Sequence, residues 1–480
     1  IAEAYDDVRR DFAAIRSTCI KVQQRVLSGL VKKGKRNPRE FHFALFNPLG
    51  WKRSDYVVLE IKSREKNFLV LDHHGKTVEH QVLGRKKRVV QLLCHLDNVP
   101  PFSFTNLVVS PTSAKPTPSE GWKLSSRVIE TPFYHIRLDS KGQFSSVYDK
   151  GLRRELIAKG ARANQFQTFR DQPKQWEAWD IDPDYASKEL DLLRLKKLRV
   201  VEAGPLRVML RLEHQSENGT RISQDILLYH KSRRIDFVTD VRWRESQTLL
   251  KVAFPLYVKT HTATYEIQFG ALQRTTKPTE PRQKAKYEVP AQQWVDLSES
   301  KFGVSLLNDC KYGYDASGNT LRLTLLRSPH YPHPLDPLRL SDERVTDQGD
   351  HRLSYALYPH AGDWRAGESL QRAREFNHPL MVIPGQMEDV SPLVILSSSN
   401  IVVDSIKKAE DSEDIIIRIH EGHGQPTKAT LEFGPKVDYA AECDMLENEL
   451  APLKSVKSKL ALKFSPFEIK TLKLTFRTKR

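Results

Sequence analysis

The segment QWEAWDIDPDY, residues 175–185, places large aromatic rings and carboxylates together on one short irregular stretch. Trp176 and Trp179 alternate there with Glu177, Asp180 and further aspartates. An indole ring covers the apolar face of a pyranose, and carboxylates accept hydrogen bonds from sugar hydroxyls, so a loop of this kind suits a carbohydrate site. The same residues are equally consistent with two indoles that pin a loop onto the fold while the acids are solvated.

Two histidine pairs raise the question of a metal site. His330 and His333 lie in HYPH, and His420 and His423 lie in HEGH within a Gly-rich turn. Zinc is usually held by three or four ligands on fixed elements, and neither pair has a nearby Cys or His that would complete such a set. We therefore expect surface histidines and predict no metal ligand in this chain.

Motifs for nucleophilic or nucleotide chemistry are missing from the sequence. It contains no GxSxG or SxxK motif in a usable context, no Cys/His arrangement, and no Walker or dinucleotide-binding glycine loop. The chain therefore shows no self-contained catalytic apparatus, and we predict no catalytic residue in it.

The elements that must position any site begin with a helix over residues 1 to about 32. Its apolar residues recur at spacings of three and four and form one stripe: Tyr5, Val8, Phe12, Ile15, Cys19, Val22 and Val26. Gly34 and Pro38 are expected to end the helix. The stripe needs partners elsewhere in the chain or in a preceding part. Because the sequence begins with Ile1 rather than Met, we expect a piece of a longer protein.

After residue 40 the pattern changes to short strands. Apolar or alternating runs at 56–62, 68–72 and 88–96 are typical of β-strands, and a Pro/Ser/Thr-rich stretch at 110–121 is typical of a linker. Two later runs place apolar side chains on one face: Ile235, Phe237, Val241 and Trp243 in the first, and Leu321, Leu323 and Leu325 in the second. Strands recurring every eight to twelve residues indicate β-sandwiches.

Composition restricts the class of protein. A chain of 480 residues is too long for one core, so two to four domains are expected. No apolar run reaches eighteen residues, which predicts no membrane span. Four cysteines far apart, without a CxxC pair, favour a reducing cytoplasm. The Asn218-Gly219-Thr220 sequon is better interpreted as a tight hairpin turn.

The net charge of +16 could indicate a nucleic-acid or anionic-surface binder. The basic residues are, however, spread along the whole chain. The densest runs, KKGKR at 32–36 and GRKKR at 84–88, are short. We therefore favour a solvated basic surface and do not expect a nucleic-acid partner.

Four long phrases resemble the C-terminal half of family 38 glycoside hydrolases, the class II α-mannosidases, in their bacterial and cytosolic branch. The phrases are FALFNPLGWKRSDYV (43–57), DQPKQWEAWDIDPDY (171–185), FGVSLLNDCKYGYDASGNTLRLTLLRSP (302–329) and DHRLSYALYPHAGDW (350–364). The resemblance implies a mainly β fold: a helix left from a helical bundle (1–36), a small β-sandwich (37–118), a large galactose-mutarotase-like supersandwich (119–395) and a closing β-sandwich (396–480).

The resemblance also implies a function. In that family an N-terminal catalytic barrel carries the nucleophile and most ligands of one zinc ion, and the enzyme cleaves α-mannosidic bonds with retention. We therefore expect this chain to be the non-catalytic β portion of such an enzyme, inactive alone, with zinc bound outside it. The expected partners are the catalytic barrel and a mannoside or oligosaccharide, with a homo-oligomer of the enzyme left open. The expected location is the cytoplasm.

The family phrase for the opening segment is Asp-Ala-Trp-Asp-Ile. Here Glu177 stands where the first Asp is expected, while Trp176, Trp179 and Asp180 keep the pattern, so we predict that these three residues line the sugar pocket. Arg327 is a further candidate because long-form relatives carry a ligand-contacting arginine after the corresponding strand. Here it lies in Leu-Leu-Arg-Ser-Pro rather than His-Arg-Arg.

Three alternatives stay open at the level of sequence. Arg327 has the parity of Leu321, Leu323 and Leu325 and could equally be an interior arginine paired with a carboxylate. The whole chain could be a free-standing carbohydrate-binding β protein, for which the tryptophan-rich segment would suffice. The chain could also be a basic protein that binds a polyanion or nucleic acid, although this is less consistent with its scattered charge.

Overall fold

The fold was analysed in a computed structural model, which describes residues 2–32, 39–114, 122–125, 127–332, 341–388 and 391–477. The predicted helix stop at Gly34 and Pro38, most of the predicted linker, and His333 lie outside the described residues. About 53% of the chain is strand and about 10% is helix. The predicted mainly β class with a leading helix is therefore confirmed.

The helical elements of the described chain are α1 (Ala2–Leu30), α2 (Pro281–Lys284), α3 (Ser369–Asn377) and a 3-10 turn at Tyr185–Ser187. The strands up to the end of the first third of the chain are β1 (Phe41–Asn47), β2 (Arg53–Lys62), β3 (Phe68–Asp72), β4 (His80–Lys86), β5 (Val89–Val99), β6 (Ser103–Pro111), β7 (Lys123–Leu124), β8 (Val128–Glu130), β9 (Tyr134–Leu138), β10 (Phe144–Asp149) and β11 (Arg154–Glu155).

The strands of the middle of the chain are β12 (Gln165–Arg170), β13 (Glu189–Leu190), β14 (Arg194–Ala203), β15 (Arg207–Gln215), β16 (Arg221–Tyr229), β17 (Ile235–Trp243), β18 (Thr248–Pro255), β19 (Thr262–Ile267), β20 (Gly270–Thr275), β21 (Val289–Pro290), β22 (Trp294–Glu299), β23 (Phe302–Asn308), β24 (Gly313–Ser317), β25 (Thr320–Arg327), β26 (His330–Pro332), β27 (Ser341–Val345) and β28 (Gly349–Ala361).

The closing strands are β29 (Met381–Pro384), β30 (Val394–Leu396), β31 (Ile401–Lys408), β32 (Ile415–Glu421), β33 (Thr427–Phe433), β34 (Val437–Cys443), β35 (Glu449–Pro452), β36 (Lys459–Phe464) and β37 (Ile469–Phe476). The predicted strands at 56–62 and 68–72 are confirmed as part of β2 and as β3, and the strand predicted at 88–96 is confirmed as part of β5 apart from Arg88, which lies in the preceding turn. Ser110 and Pro111 belong to β6, so the predicted linker begins too early, because its first residues still pair in a sheet.

Helix α1 carries the predicted apolar stripe on an exposed surface. Tyr5, Phe12, Val22 and Val26 are each more than half exposed, although the rings of Tyr5 and Tyr331 meet edge to face with centroids 5.8 Å apart. A stripe of this kind gains stability only when it is covered. In the described part of the chain, no helix combines the length and the apolar character that a bilayer span requires.

The chain separates into two compact units. The first consists of residues 1–21, 118–266 and 272–377, and the second of residues 22–117, 267–271 and 378–480. The four-part division expected from the sequence is finer than this one and stays a prediction.

Two large sheets build the first unit. One sheet has the strand order β14-β15-β16-β17-β28-β23-β22-β19-β20, and the other has the order β13-β12-β18-β25-β24-β21. Buried side chains from both sheets form a single core, including Val208, Leu210, Ile226, Phe237, Val252, Phe254, Leu306, Leu323 and Tyr355. This is a large sandwich of the kind that the resemblance implies. All four apolar residues predicted for one face of β17 and all three predicted for β25 are buried.

The turn predicted at Asn218-Gly219 connects two paired strands. Strands β15 and β16 pair as a hairpin around Asn218-Gly219, where Gly219 has a φ of 92° that glycine adopts without strain. The Asn218 amide donates a 2.6 Å hydrogen bond to Glu245 and so serves the turn.

The second unit contains two smaller cores. One lies between the strands β1–β6 and includes Leu45, Leu59, Leu92 and Leu107. The other lies between the strands β30–β37 and includes Ile417, Leu431, Leu462 and Leu472. Each core is supplied by alternate residues of antiparallel strands, as the period of two requires.

We expect His214 of β15 to make the stability of the first unit depend on pH. Burial lowers the pKa of His214 to about 4, against a backbone hydrogen bond with Lys141. As pH falls below about 6.5, His214 becomes protonated in the unfolded chain but stays neutral in the folded chain. The free energy of unfolding should therefore fall by up to about 3 kcal/mol by pH 4. His214→Gln should flatten this decline in urea titrations followed by tryptophan fluorescence. His261→Gln, at an exposed position, should leave it unchanged; equal slopes in wild type and His214→Gln would contradict the assignment.

Candidate functional site

The segment singled out by the sequence forms a long loop between β12 and β13, residues 171–188, called here the tryptophan loop. Its tip is a tight turn in which the Trp176 carbonyl accepts the amides of Trp179 at 2.8 Å and Asp180 at 2.9 Å. Trp176 has a φ of 56°, in the left-handed region. That conformation costs a residue with a Cβ roughly 1–2 kcal/mol, so surrounding contacts must hold it in place.

Both indoles at this tip face solvent. Trp176 is 66% exposed and Trp179 is 65% exposed, and their rings meet edge to face with centroids 6.1 Å apart. The Asp180 carboxylate beside them is also exposed. The indoles therefore do not pin the loop onto the fold, which contradicts that alternative, and a different set of contacts must fix the backbone.

Arg327, the last residue of β25, supplies the strongest of those contacts. Its Nε donates to Asp171 Oδ2 at 2.6 Å and its Nη2 donates to Oδ1 at 3.3 Å. The same guanidinium donates to the backbone carbonyls of Glu177 at 2.6 Å, Ala178 at 3.3 Å and Asp180. One side chain therefore joins the start of the loop to its tip. Arg327 is an arginine paired with a carboxylate, and its predicted contact with ligand stays a prediction.

The Asp171 carboxylate lies in a low-dielectric position at the end of β12. Its side chain is only 1% exposed. Burial raises the pKa of Asp171, and the Arg327 guanidinium opposes that rise. A buried carboxylate without its cation would be strongly destabilising, so the two residues depend on each other.

A second clamp holds the tip through Glu177. Its Oε1 accepts hydrogen bonds from Gln247 Nε2 at 3.0 Å and from the His330 amide at 2.9 Å, and His330 Nδ1 lies 3.3 Å from Oε2. Glu177 is therefore turned towards the protein while the two neighbouring indoles are turned away. The side chain of His330 is only 23% exposed, so the expected surface histidine is instead a member of this clamp.

The far end of the loop is anchored by aromatic side chains. Tyr185 is buried, its ring meets Phe169 edge to face at 5.3 Å, and its hydroxyl donates to Asp315 at 3.1 Å. The Tyr287 hydroxyl donates to the Ile181 carbonyl. These contacts fix the chain on the far side of the tip, so the tryptophan loop is held at both ends.

Behind Tyr185 lies a buried lysine. Lys251 is completely buried, and its Nζ lies 2.5 Å from Glu288 and 2.8 Å from Asp315. Burial alone would lower the pKa of Lys251, but the carboxylates of Asp315 and Glu288 raise it above the ordinary value. Lys251 also lies 4.9 Å from the centre of the Tyr185 ring, so the charge stabilises the loop anchor.

The HEGH histidines differ from the expectation of surface positions. His420 is 1% exposed and His423 is 9% exposed. His420 Nδ1 lies 2.6 Å from the Asp404 carboxylate, and the ring meets Phe269 edge to face at 5.5 Å. The expectation was wrong for both because a glycine-rich turn suggests exposure, whereas His420 lies in β32, an interior strand between β31 and β37, and His423 follows closely after that strand.

Over the described ranges, no group of three or more His, Cys, Asp or Glu side chains could hold a metal ion. The residues described here therefore do not fit the zinc site that the family resemblance implies for the parent enzyme.

Sequence reasoning missed the residues that hold the site together. Asp171, Gln247 and Lys251 were not singled out. A signal existed for one of them, since Lys251 interrupts the apolar run TLLKVAFP of β18 and a lysine at such a position is seldom buried without a carboxylate partner. No comparable signal marked Gln247, whose role depends on the path of a distant loop.

The arrangement is suited to binding a ligand. Two exposed indoles and the Asp180 carboxylate are presented on a backbone fixed by Arg327 and Glu177. This combination can cover an apolar ring face and accept hydroxyl hydrogen bonds at its edge. The carboxylate of Glu177 is already engaged by its clamp.

Comparison with known families assigns most of the chain. Residues 129–335, which include the tryptophan loop, match the glycosyl hydrolases family 38 C-terminal domain. Residues 400–472 match the glycosyl hydrolases family 38 C-terminal beta sandwich domain.

Similar proteins are larger. Alpha-mannosidase 2C1 of Mus musculus is 35% identical over 362 residues, covering 74% of this chain and 34% of the relative. The Homo sapiens protein of the same name is 35% identical, with 73% and 34% covered, and alpha-mannosidase G of Dictyostelium discoideum is 32% identical, with 72% and 32% covered. The matched part of the chain thus spans about a third of the length of these relatives.

A solved structure shares the fold. The alpha-mannosidase from Enterococcus faecalis V583 superposes with a TM-score of 0.74 at 14% identity, covering 94% of this chain and 58% of that chain. At this identity the likeness concerns the fold alone.

We expect Arg327→Met to lower the free energy of unfolding by about 3–5 kcal/mol at pH 7, because it leaves the Asp171 carboxylate buried without its cation. The measurement is urea denaturation followed by tryptophan fluorescence. Asp171→Asn combined with Arg327→Met should recover part of the loss. Arg242→Met breaks a matched but exposed pair with Asp350 and should cost no more than about 1 kcal/mol. Equal costs for Arg327→Met and Arg242→Met would contradict the proposed role of the pair.

Proposed function

This chain belongs to family 38 of the glycosyl hydrolases and matches the C-terminal domains of that family. From that premise we propose that it is the non-catalytic β portion of an α-mannosidase. The parent enzyme would hydrolyse α-mannosidic bonds in mannosides or oligosaccharides. The support is that the similar proteins described above carry the name alpha-mannosidase, and that the matched region includes the tryptophan loop.

In this proposal the reactive groups belong to an N-terminal catalytic barrel of the same enzyme. Retaining hydrolysis requires a carboxylate nucleophile and a second carboxyl group as acid and base. A zinc ion bound by that barrel would supply electrostatic stabilisation of the sugar hydroxyls. The described residues of this chain bind and position, and no step of the reaction is assigned to them.

The observation that carries the proposal is the pair of indoles at the tip of the tryptophan loop. Large aromatic rings two-thirds exposed to water are unfavourable unless a ligand or partner covers them. Here Trp176 and Trp179 flank a short turn that ends in the exposed Asp180 carboxylate. We assign the indoles to the apolar face of the mannoside and Asp180 to its hydroxyls, whereas Arg327 acts as a positioning residue.

The free cysteines fit a cytoplasmic location for the parent enzyme. In the described chain Cys19, Cys94, Cys310 and Cys443 form no disulfide. Cys94 lies in the core of its unit, where burial raises the pKa of its thiol to about 12 and so keeps it unreactive. The catalytic barrel is the main proposed partner, and a homo-oligomer of the parent enzyme is a second proposal.

The indoles are tested in the parent polypeptide that contains this chain. Trp176→Ala and Trp179→Ala should each raise KM for a nitrophenyl α-mannoside about tenfold, which corresponds to about 1.4 kcal/mol of lost ring contact. Because the contact exists before and during the reaction, kcat should change little. Tyr257→Ala removes an aromatic ring that is also exposed, at 45%, elsewhere in the same unit and should leave KM unchanged. An unchanged KM in both tryptophan variants would refute the assignment.

The proposal that the catalytic groups lie in the barrel, and not in this chain, is tested with the isolated chain. It should release no nitrophenol from a nitrophenyl α-mannoside, before or after metal chelation, and should bind mannose oligosaccharides weakly or not at all. Turnover by the isolated chain would refute the non-catalytic assignment. Tight mannoside binding lost in Trp176→Ala would instead favour a free-standing carbohydrate-binding protein. Binding of nucleic acid that falls steeply with salt and depends on the lysines of GRKKR would favour the polyanion binder.

A further inference from the structure

A cavity of about 380 Å³ lies in the first unit, where the anchored end of the tryptophan loop meets β20, β24 and α2. Its walls include Tyr185 and Tyr287, which anchor that loop, and Tyr265 of β19. The volume is at the lower end of the range for small-molecule sites. The cavity is therefore large enough for a ligand of monosaccharide size and is separate from the exposed indoles.

The charged side chains of this cavity are mostly cations. Arg274, Lys284, Lys286 and Arg322 line it, against the single carboxylate of Asp315. That carboxylate is already engaged, because Asp315 accepts from Lys251 at 2.8 Å and from Arg322 Nε at 2.8 Å. The other three cations form no ion pair with any residue that the structure describes, so the cavity carries an excess of positive charge.

Arg274 is the most informative of these cations. Its Nε is buried and has no hydrogen-bond partner among the described side chains and backbone. Its guanidinium carbon lies 5.6 Å from the centre of the Tyr265 ring, which orients the side chain. A buried donor without an acceptor is unfavourable, so an anion that entered the cavity and accepted from Arg274 would remove this penalty.

We propose that this cavity binds a phosphorylated sugar. Three cations without carboxylate partners match a phosphate, which carries nearly two negative charges, better than a carboxylate, which carries one. The tyrosine rings provide flat apolar surface for a sugar ring, and Gln273 adds an amide at the cavity wall. A free phosphate would satisfy the cations but leave this surface and most of the volume unused.

The site goes beyond the proposed mannoside contact and does not depend on it. Ligand binding here would involve Arg274 and the lysines of the α2 region, whereas the mannoside contact involves the tip of the tryptophan loop. Because Tyr185 and Tyr287 belong to both the cavity wall and the loop anchor, a bound phosphosugar would stiffen the loop. Trp176 does not line the cavity, so the substitution Trp176→Ala should affect the mannoside contact and leave phosphosugar binding unchanged.

The experiment is calorimetric titration of the whole chain at fixed ionic strength with mannose 6-phosphate, mannose and inorganic phosphate. We expect saturable binding of mannose 6-phosphate, inorganic phosphate binding at least fivefold weaker, and no binding of mannose at the same concentrations. Arg274→Gln should weaken mannose 6-phosphate binding at least tenfold. Lys284→Gln combined with Lys286→Gln, at two exposed positions, should weaken it similarly.

Two control variants complete the test. Arg221→Gln removes an exposed cation elsewhere in the same unit and should leave the affinity within twofold, and Trp176→Ala should do the same. Absence of saturable binding by the wild type, or equal affinity in wild type, Arg274→Gln and the lysine variant, would overturn the site. Equal affinities for mannose 6-phosphate and inorganic phosphate would overturn the assignment of a sugar. Equal weakening in Arg221→Gln would show attraction to the general basic surface and would overturn it too.

Discussion

The ion pair between Arg327 and Asp171 is the interaction on which the candidate site depends. It joins the ends of β25 and β12, which are separated by 156 positions in the sequence. The same guanidinium then donates to backbone carbonyls at the tip of the tryptophan loop. A lysine could neutralise Asp171 but could not form this fork of bonds, because its ammonium lacks the planar geometry of the guanidinium. The orientation of both indoles therefore depends on one side chain at a strand end, which acts together with the Glu177 clamp.

The tryptophan loop is fixed before any ligand binds, and this matters because a mobile loop would lose conformational entropy on binding and weaken the affinity. A loop that is already held in its bound conformation loses little conformational freedom when a ligand arrives. Trp176 illustrates the balance: its left-handed φ is unfavourable and is sustained by the Glu177 clamp and by Arg327. The two indole rings are also unfavourably placed in the free protein, because their apolar surface faces water, but this exposure leaves them available to a ligand.

The sequence predicted the fold well where local patterns decide it. Alternation identified the buried faces of β17 and β25, and the Asn218-Gly219 pair identified a hairpin, because both signals act within a few residues. It predicted the chemical character of the tryptophan loop but not what fixes it. Asp171 is close in sequence to the tip, whereas Gln247 and His330 reach Glu177 only through the packing of separate strands. The positions of the HEGH histidines were wrongly predicted for the same reason, since a turn sequence does not reveal that the strand before it is flanked by strands on both sides.

The central claim is that Arg327 fixes the tip of the tryptophan loop, and hydrogen–deuterium exchange of the native chain tests it most directly. The amides of Trp179 and Asp180 both donate to the Trp176 carbonyl and report on that turn. Arg327→Lys keeps the positive charge beside Asp171 but removes the forked donors. The account predicts that exchange at these two amides becomes at least tenfold faster in Arg327→Lys, while amides in the central strand β17 keep their protection. Unchanged exchange at the tip would contradict it.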